Sequence, residues 1–155
     1  MSRRPGSALA LLQKGLEAKD VLPKLLKALN DSDGLVRSYA TKALSNFGPD
    51  AIDGLPALLQ NLNHPDEEVA NSAKRALTKI ATPIALKASL PVLIQSLRHR
   101  EVHVRIKVAE MLGGIGEGAL DAVPNLIQAL KDENRTVRVS AGQALIQIGE
   151  GQYLI

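Results

Sequence analysis

The sequence predicts an all-α solenoid, a row of helix pairs stacked side by side, and three observations point there. The first is the stretch from Val123 to Gly149, which reads as two antiparallel helices around one polar turn. Its first helix carries Val123, Leu126, Ile127 and Leu130, and its second Val137, Ala141, Ala144, Leu145 and Ile148. Each set falls on one stripe of a 3.6-residue helix. The second observation is that this pair recurs. Pro23, Pro56, Pro91 and Pro124 stand 33, 35 and 33 residues apart. Each is followed at fixed distances by a valine (Val36, Val69, Val104, Val137) and a leucine (Leu44, Leu77, Leu112, Leu145). Next come Phe47, Ile80, Ile115 and Ile148, with Gly48, Ala81, Gly116 and Gly149 directly behind. A two-helix unit cannot bury its apolar stripes alone, so it needs a copy of itself alongside. The third is composition: apolar residues make up 45% but aromatics only 2%. The excess is Ala and Leu, which suits close-packed helices rather than a sheet.

The same composition excludes several classes. With no cysteine there is neither a disulfide framework nor a thiolate site. The apolar runs fall far short of the ~18 residues of a membrane-crossing helix. The start, MSRRPGSALALL, has a basic lead but too short an apolar run for a secretory signal. The expectation is a single domain over residues 1–155, soluble and cytoplasmic, with no membrane partner. A net charge of +3 permits an acidic partner without requiring one.

Taken in order, residues 1–7 read as a leader. Ala10-Leu11 and Gly15 match the end of a second helix, so 8–15 is a partial repeat. The full repeats then span 20–48, 53–81, 87–116 and 120–149. Both ends stop inside a repeat, which leaves two readings. Either the chain is a piece of a longer array, or its ends are improvised caps, with Tyr153, Leu154 and Ile155 folded over the last unit. First helices are expected to start near Asp20, Asp53, Ala88 and Asp121, three residues before each proline. Asp is a good N-cap, and a first-turn proline gives up an N–H that has no intrahelical partner. Second helices are expected to be capped by Asp33, Asp66, Glu101 and Asn134. The two extra residues of the 35-residue step lie at Ala81-Thr82-Pro83 and should change the angle between units two and three.

The residues that recur resemble a known family. The helix-A proline, Asp33-Gly34-Leu35-Val36-Arg37, Val104-Arg105, Asn134-Arg135-Thr136-Val137-Arg138 and the closing AL-x-x-IG are similar to the HEAT repeat. The likeness is greatest to the short bacterial-type repeats grouped with the phycobilisome lyase repeats, and it covers residues 8–149. It implies a right-handed αα-superhelix, a HEAT-like solenoid of four helix pairs plus an N-terminal half repeat. It also implies a ladder between units, with Asp33, Asp66 and Glu101 as acids and Arg37, Arg105 and Arg138 as partners. Ala70 interrupts that ladder in unit two, and Asn134 is a weaker acceptor than an acid.

Two stretches invite a chemical reading. Gly113-Gly114-Ile115-Gly116-Glu117-Gly118 looks like a phosphate-cradling loop, but no strand precedes it and no Lys-Ser/Thr pair completes it. Gly116 also stands where Gly48 and Gly149 stand, at the expected helix end. His99, Glu101 and His103 suggest a metal site, yet they do not share the face that an i, i+4 zinc pair needs. Neither a catalytic set, a cofactor site nor a metal site is expected.

The functional signal lies on the second helices, which line the inner, concave face of such a solenoid. Subtracting the core stripe leaves Tyr39, Lys42 and Asn46, then Ser72, Arg75 and Lys79. Units three and four add Lys107, Glu110 and Gly114, then Ser140, Gln143 and Gln147. Within a unit these are three or four residues apart and form one strip. It fits a non-catalytic protein-interaction scaffold whose partner is another protein with an acidic helix or tail. A nucleic-acid module using Lys42, Arg75, Lys79 and Lys107 on phosphates is the alternative, without aromatics to stack bases. A chaperone-like lyase subunit for a bilin-bearing protein follows from repeat type alone. Self-association through exposed terminal repeats is a further expectation.

Overall fold

The structure, a computed structural model, describes residues 16–150. The expected leader, the partial repeat at 8–15 and the cap at 153–155 lie outside those residues. The described chain is helical throughout, without a strand, and forms four helix pairs. Unit one pairs α1 (Leu16–Ala28) with α2 (Gly34–Ser45). In unit two a 3-10 helix, Gly48–Gly54, leads into α3 (Leu55–Asn61), which pairs with α4 (Glu67–Ile80). Unit three breaks its first helix into α5 (Pro83–Ala88) and α6 (Leu90–Ser96), followed by α7 (Val102–Ile115). Unit four repeats the plan of unit two, with a 3-10 helix at Gly116–Ala122, then α8 (Val123–Ala129) and α9 (Arg135–Glu150).

Helix starts divide into two kinds. At α2 and α4, Asp33 and Asp66 accept from the amides of Leu35 and Glu68, at 2.9 Å each. Asn134 accepts from Thr136 and Val137 at the start of α9. Glu101 stands at the N-cap of α7 but caps no amide with its side chain. First helices differ from expectation. Asp53 and Asp121 lie inside the 3-10 turns, and the N-caps of α3 and α8 are Gly54 and Ala122. The 3-10 carbonyls of Ile52 and Leu120 already take the amides of Leu55 and Val123, so no side-chain cap is needed. Pro56, Pro91 and Pro124 do sit in the first turn. Pro23 does not: α1 runs through it, leaving Asp20 in the helix interior. Gly48 and Gly116 adopt φ of 59° and 75° and end their helices. Gly149 instead stays inside α9, which continues to Glu150.

The core lies between the two helix layers and comes in two parts. Leu29, Leu44, Leu58, Ala73 and Ile80 build the part shared by units one and two. Leu93, Val104, Leu112, Leu126, Val137 and Ile148 build the other part, which also takes in Leu55 and Leu59 of α3 and so runs from unit two through unit four. Ile52, Leu62 and Leu77 touch both parts. Ile127 and Leu130, expected in the core, are nearly half exposed, at 49% and 41%. Ile94 and Leu97 at the same repeat positions pack into the core of units three and four. Among the described residues nothing follows unit four to cover Ile127 and Leu130 in that way.

Second helices approach closely at two of the three junctions. α2 lies along α4, and Ser38 and Ser72 share a buried hydroxyl pair at 3.1 Å. α7 lies along α9, where a Cβ added to Gly113 would stand 3.0 Å from the Ala144 Cα. Between units two and three the plan changes. α7 leans on α3 and α5 rather than lying along α4, and His103 Nε2 donates to the Gln60 carbonyl at 3.2 Å. The two extra residues of the unit-three linker lie at this junction, where a changed angle between units was expected and where the packing of second helices departs from the other two.

The ladder also differs in its members. The acids that cap second helices do not bond across units. The cross-unit acceptor stands two residues before the cap, at Asp132, whose carboxylate takes Arg105 Nε at 2.9 Å and its Nη2 at 3.3 Å. The same side chain accepts the Asn134 amide at 2.9 Å, tying the turn to the rung. Asp31, His64 and His99 hold the equivalent place and accept the amides of Asp33, Asp66 and Glu101. Arg37 reaches His64 of the next unit, while Ala70 leaves His99 without a rung. Arg138 turns back to the carbonyls of Asp132 and Glu133.

Two predictions follow from these contacts. Gly113→Ala should destabilise the fold by about 1–3 kcal/mol, because Ala144 backbone cannot yield, whereas Gly114→Ala, with open space around it, should stabilise by about 0.5–1 kcal/mol. Urea unfolding midpoints will separate the two. Arg105→Ala should cost about 3 kcal/mol, since it strands Asp132 in a pair whose side chains are only 11% and 14% exposed. A loss below ~1 kcal/mol would mean the rung is a solvated surface pair.

Candidate functional site

The residues of the strip expected on the second helices divide by exposure. Tyr39, Lys42, Asn46, Arg75, Lys79, Lys107, Glu110, Gln143 and Gln147 are all exposed. Ser72 and Ser140 are not, being only 2% and 5% exposed. Both occupy the repeat position that faces the preceding unit, where the close approach of α2 to α4 and of α7 to α9 covers them. Lys107 occupies the same position in unit three and stays exposed, because α4 does not lie against it. A serine fits a closed junction; a lysine there marks an open one.

Within the strip, neighbouring side chains meet in pairs. The Lys42 ammonium lies 5.4 Å from the Tyr39 ring centroid and 3.5 Å from the Glu68 carboxylate of the next unit. Lys107 pairs with Glu110 at 3.4 Å, one turn along α7. Both ion pairs are about half exposed, which limits each to roughly 0–1 kcal/mol. The Gln147 carboxamide lies over Gly113, in space a side chain there would fill.

The open junction forms a hollow of about 610 Å³. Leu59 of α3 and Leu62 just after it floor it, Leu77 and Met111 wall it from α4 and α7, and Lys74 and Lys107 stand at its rim. A second hollow of about 430 Å³ adjoins through the same Met111, between α7 and the α5 residues Ile84, Leu86 and Lys87. Ile84 is 83% exposed. Sequence reasoning missed this hollow. Its signal was the insertion at 81–83 together with Lys107 where the counterparts in units two and four are serines.

The residues that suggested chemistry have structural partners. His99 Nδ1 accepts the Glu101 amide at 3.0 Å, and His103 Nε2 is bonded to Gln60. Gly116 ends α7 and Gly113 meets α9. Burial, assisted by the Arg100 cation and by His103 and Arg105, pushes the His99 pKa below its usual 6.5, with Glu101 opposing. A lowered imidazole pKa means the fold prefers neutral His99. That stability is complete above pH 6.5 and declines as pH falls from there toward the folded-state value. His99→Asn, which keeps an acceptor for the Glu101 amide, should lose less thermal stability between about pH 7.5 and 5.5 than the parent chain. Equal losses would show that His99 is not the titrating group.

A family model described as HEAT repeats matches residues 22–90 and again residues 90–154. No curated protein matches the sequence. Among solved structures, an engineered protein from a structural genomics consortium is 27% identical, with a TM-score of 0.47 over 83% of this chain and 62% of that one. A second engineered protein is 26% identical, with a TM-score of 0.46 over 83% and 63%. The chain thus spans less than two thirds of either engineered protein. The complex of CpcE and CpcF of phycocyanin lyase from Nostoc sp. PCC7120 is 22% identical, with a TM-score of 0.48 over 84% of this chain and 79% of that one. With its repeat matched twice, across most of its length, the chain belongs to the HEAT repeat family.

Proposed function

We propose that the protein is a non-catalytic scaffold that binds another protein on the face formed by its second helices. The observation that carries this reading is the contrast between the two sides of those helices. One side buries Val69, Ala73, Val104, Val108, Val137 and Ala141 completely. The other holds Lys42, Arg75, Lys79, Glu110, Gln143 and Gln147 in solvent through four successive units. Several titratable groups in and beside the turns are engaged in the fold. Asp33 and Asp66 cap helices, Asp132 holds Arg105, and His99 and His103 bond to backbone.

A protein partner suits the strip better than a nucleic acid. Lys42 and Lys107 each stand beside a carboxylate on the same face, which weakens the field a phosphate backbone would meet. The paired Tyr39 and Lys42 and the amides of Gln143 and Gln147 offer short-range polar contacts instead.

Reversing Lys42 and Arg75 together, as Lys42→Glu with Arg75→Glu, should weaken a captured protein partner roughly tenfold or more while leaving the thermal midpoint unchanged. Affinity that survives the double reversal would place the partner elsewhere. Titration with a duplex or single-stranded oligonucleotide at two salt concentrations separates the alternative. Tight binding with a steep salt slope would favour phosphate recognition and contradict the protein reading.

A further inference from the structure

We propose that the open junction between units two and three is the seat for an amphipathic helix that presents apolar anchors and carries acidic residues beside them. This rests on the second-helix face being the binding face, and it deepens that reading by naming the place and the chemistry of the partner. The floor and walls supply the apolar half of the argument. Leu59, Leu62, Leu77 and Met111 line a hollow of about 610 Å³, and the adjoining 430 Å³ hollow extends it past Met111 toward Ile84. Hollows of a few hundred Å³ take side chains of Leu or Phe size, the anchors by which a helix lies in a groove at i, i+3, i+4 and i+7.

The rim supplies the charge. Lys74 and Lys107 edge the first hollow and Lys87 the second, against the single carboxylate of Glu110. Lys107 is held by Glu110 at 3.4 Å, but Lys74 and Lys87 meet no carboxylate within 4.0 Å among the described residues. Three cations around an apolar trough favour acidic flanks and disfavour basic ones. On the second-helix face the other two junctions are closed, and the hollows of about 440 and 760 Å³ between units three and four lie on the first-helix side, lined by Arg98 and Asn125. Ser38 with Ser72, and Gly113 with Ala144, bring their helices too close for anything to enter.

The chain contains only two methionines, Met1 and Met111, so a sample with ¹³C-labelled methionine methyl groups carries its own reporter in the hollow. The probe is a designed helical peptide with leucines at i, i+3, i+4 and i+7 and glutamates on either side, titrated into the full chain. The Met111 methyl signal should move and saturate. Lys74→Glu with Lys107→Glu, both exposed and outside the core, should weaken binding about tenfold or more. The same peptide with serine for leucine, or lysine for glutamate, should leave the signal in place. Binding that leaves Met111 unmoved but is weakened by Lys42→Glu with Arg75→Glu would overturn the seat while sparing the broader face. Absence of saturable binding up to about 1 mM, the range of a mere nonspecific contact, overturns the seat as well. A Met111 signal that shifts with protein concentration alone, alongside a mass increase in light scattering, would assign the hollow to a second copy of the chain instead.

Discussion

How closely one second helix can lie against the next governs the shape of this protein. Where small residues meet, at Ser38 and Ser72 or at Gly113 and Ala144, the helices come together along their length and close the surface between them. Interiors this dense do not adapt continuously, so a junction is either shut or open. After the two-residue insertion at 81–83, α7 packs on α3 and α5 rather than along α4, and this junction is open. At that junction Lys107 is exposed and an apolar-floored hollow lies between α3, α4 and α7, while Leu55 and Leu59 of unit two carry the core across into units three and four.

The turns hold the units in register through a second, polar device. In every unit a side chain two residues ahead of the helix cap takes the cap residue's amide: Asp31, His64, His99 and Asp132. Where that side chain is a carboxylate facing an arginine of the unit before, as at Asp132 with Arg105, turn and neighbour are locked by one group. An imidazole in the same place serves its own turn but offers the next unit less. The weaker polar register therefore falls at the junction that is also the loosest in packing, since unit two has Ala70 at the repeat position where Arg37 and Arg105 stand.

Much of this was legible in the residues. The proline spacing located four pairs, the 3.6-residue stripes of the second helices located most of the core, and the insertion at 81–83 located the irregular junction. Local chemistry that depends on one residue's backbone, such as Gly48 and Gly116 at positive φ, was legible too. What failed needed the relation between neighbouring units. Ser72 looked like a member of the exposed strip because its helix position matches Lys107; only the distance to α2 decides that it is buried. Asp53 and Asp121 looked like caps because nothing in the sequence showed that a 3-10 turn would take over that task. The organising role of His64 and His99 was hidden because a histidine and an aspartate share an acceptor but not a spelling.

The central claim is that the spacing of second helices is uneven, narrow at the first and third junctions and wide at the second. Lys42, Arg75, Glu110 and Gln143 occupy one repeat position in the four units and are all exposed, and the chain has no native cysteine to interfere with labelling. Spin labels placed in pairs at 42 and 75, 75 and 110, and 110 and 143 give the three spacings by pulsed electron resonance. The account predicts two similar distances and a longer one for 75 and 110. Three equal spacings, or a shortest distance at that middle pair, would contradict it.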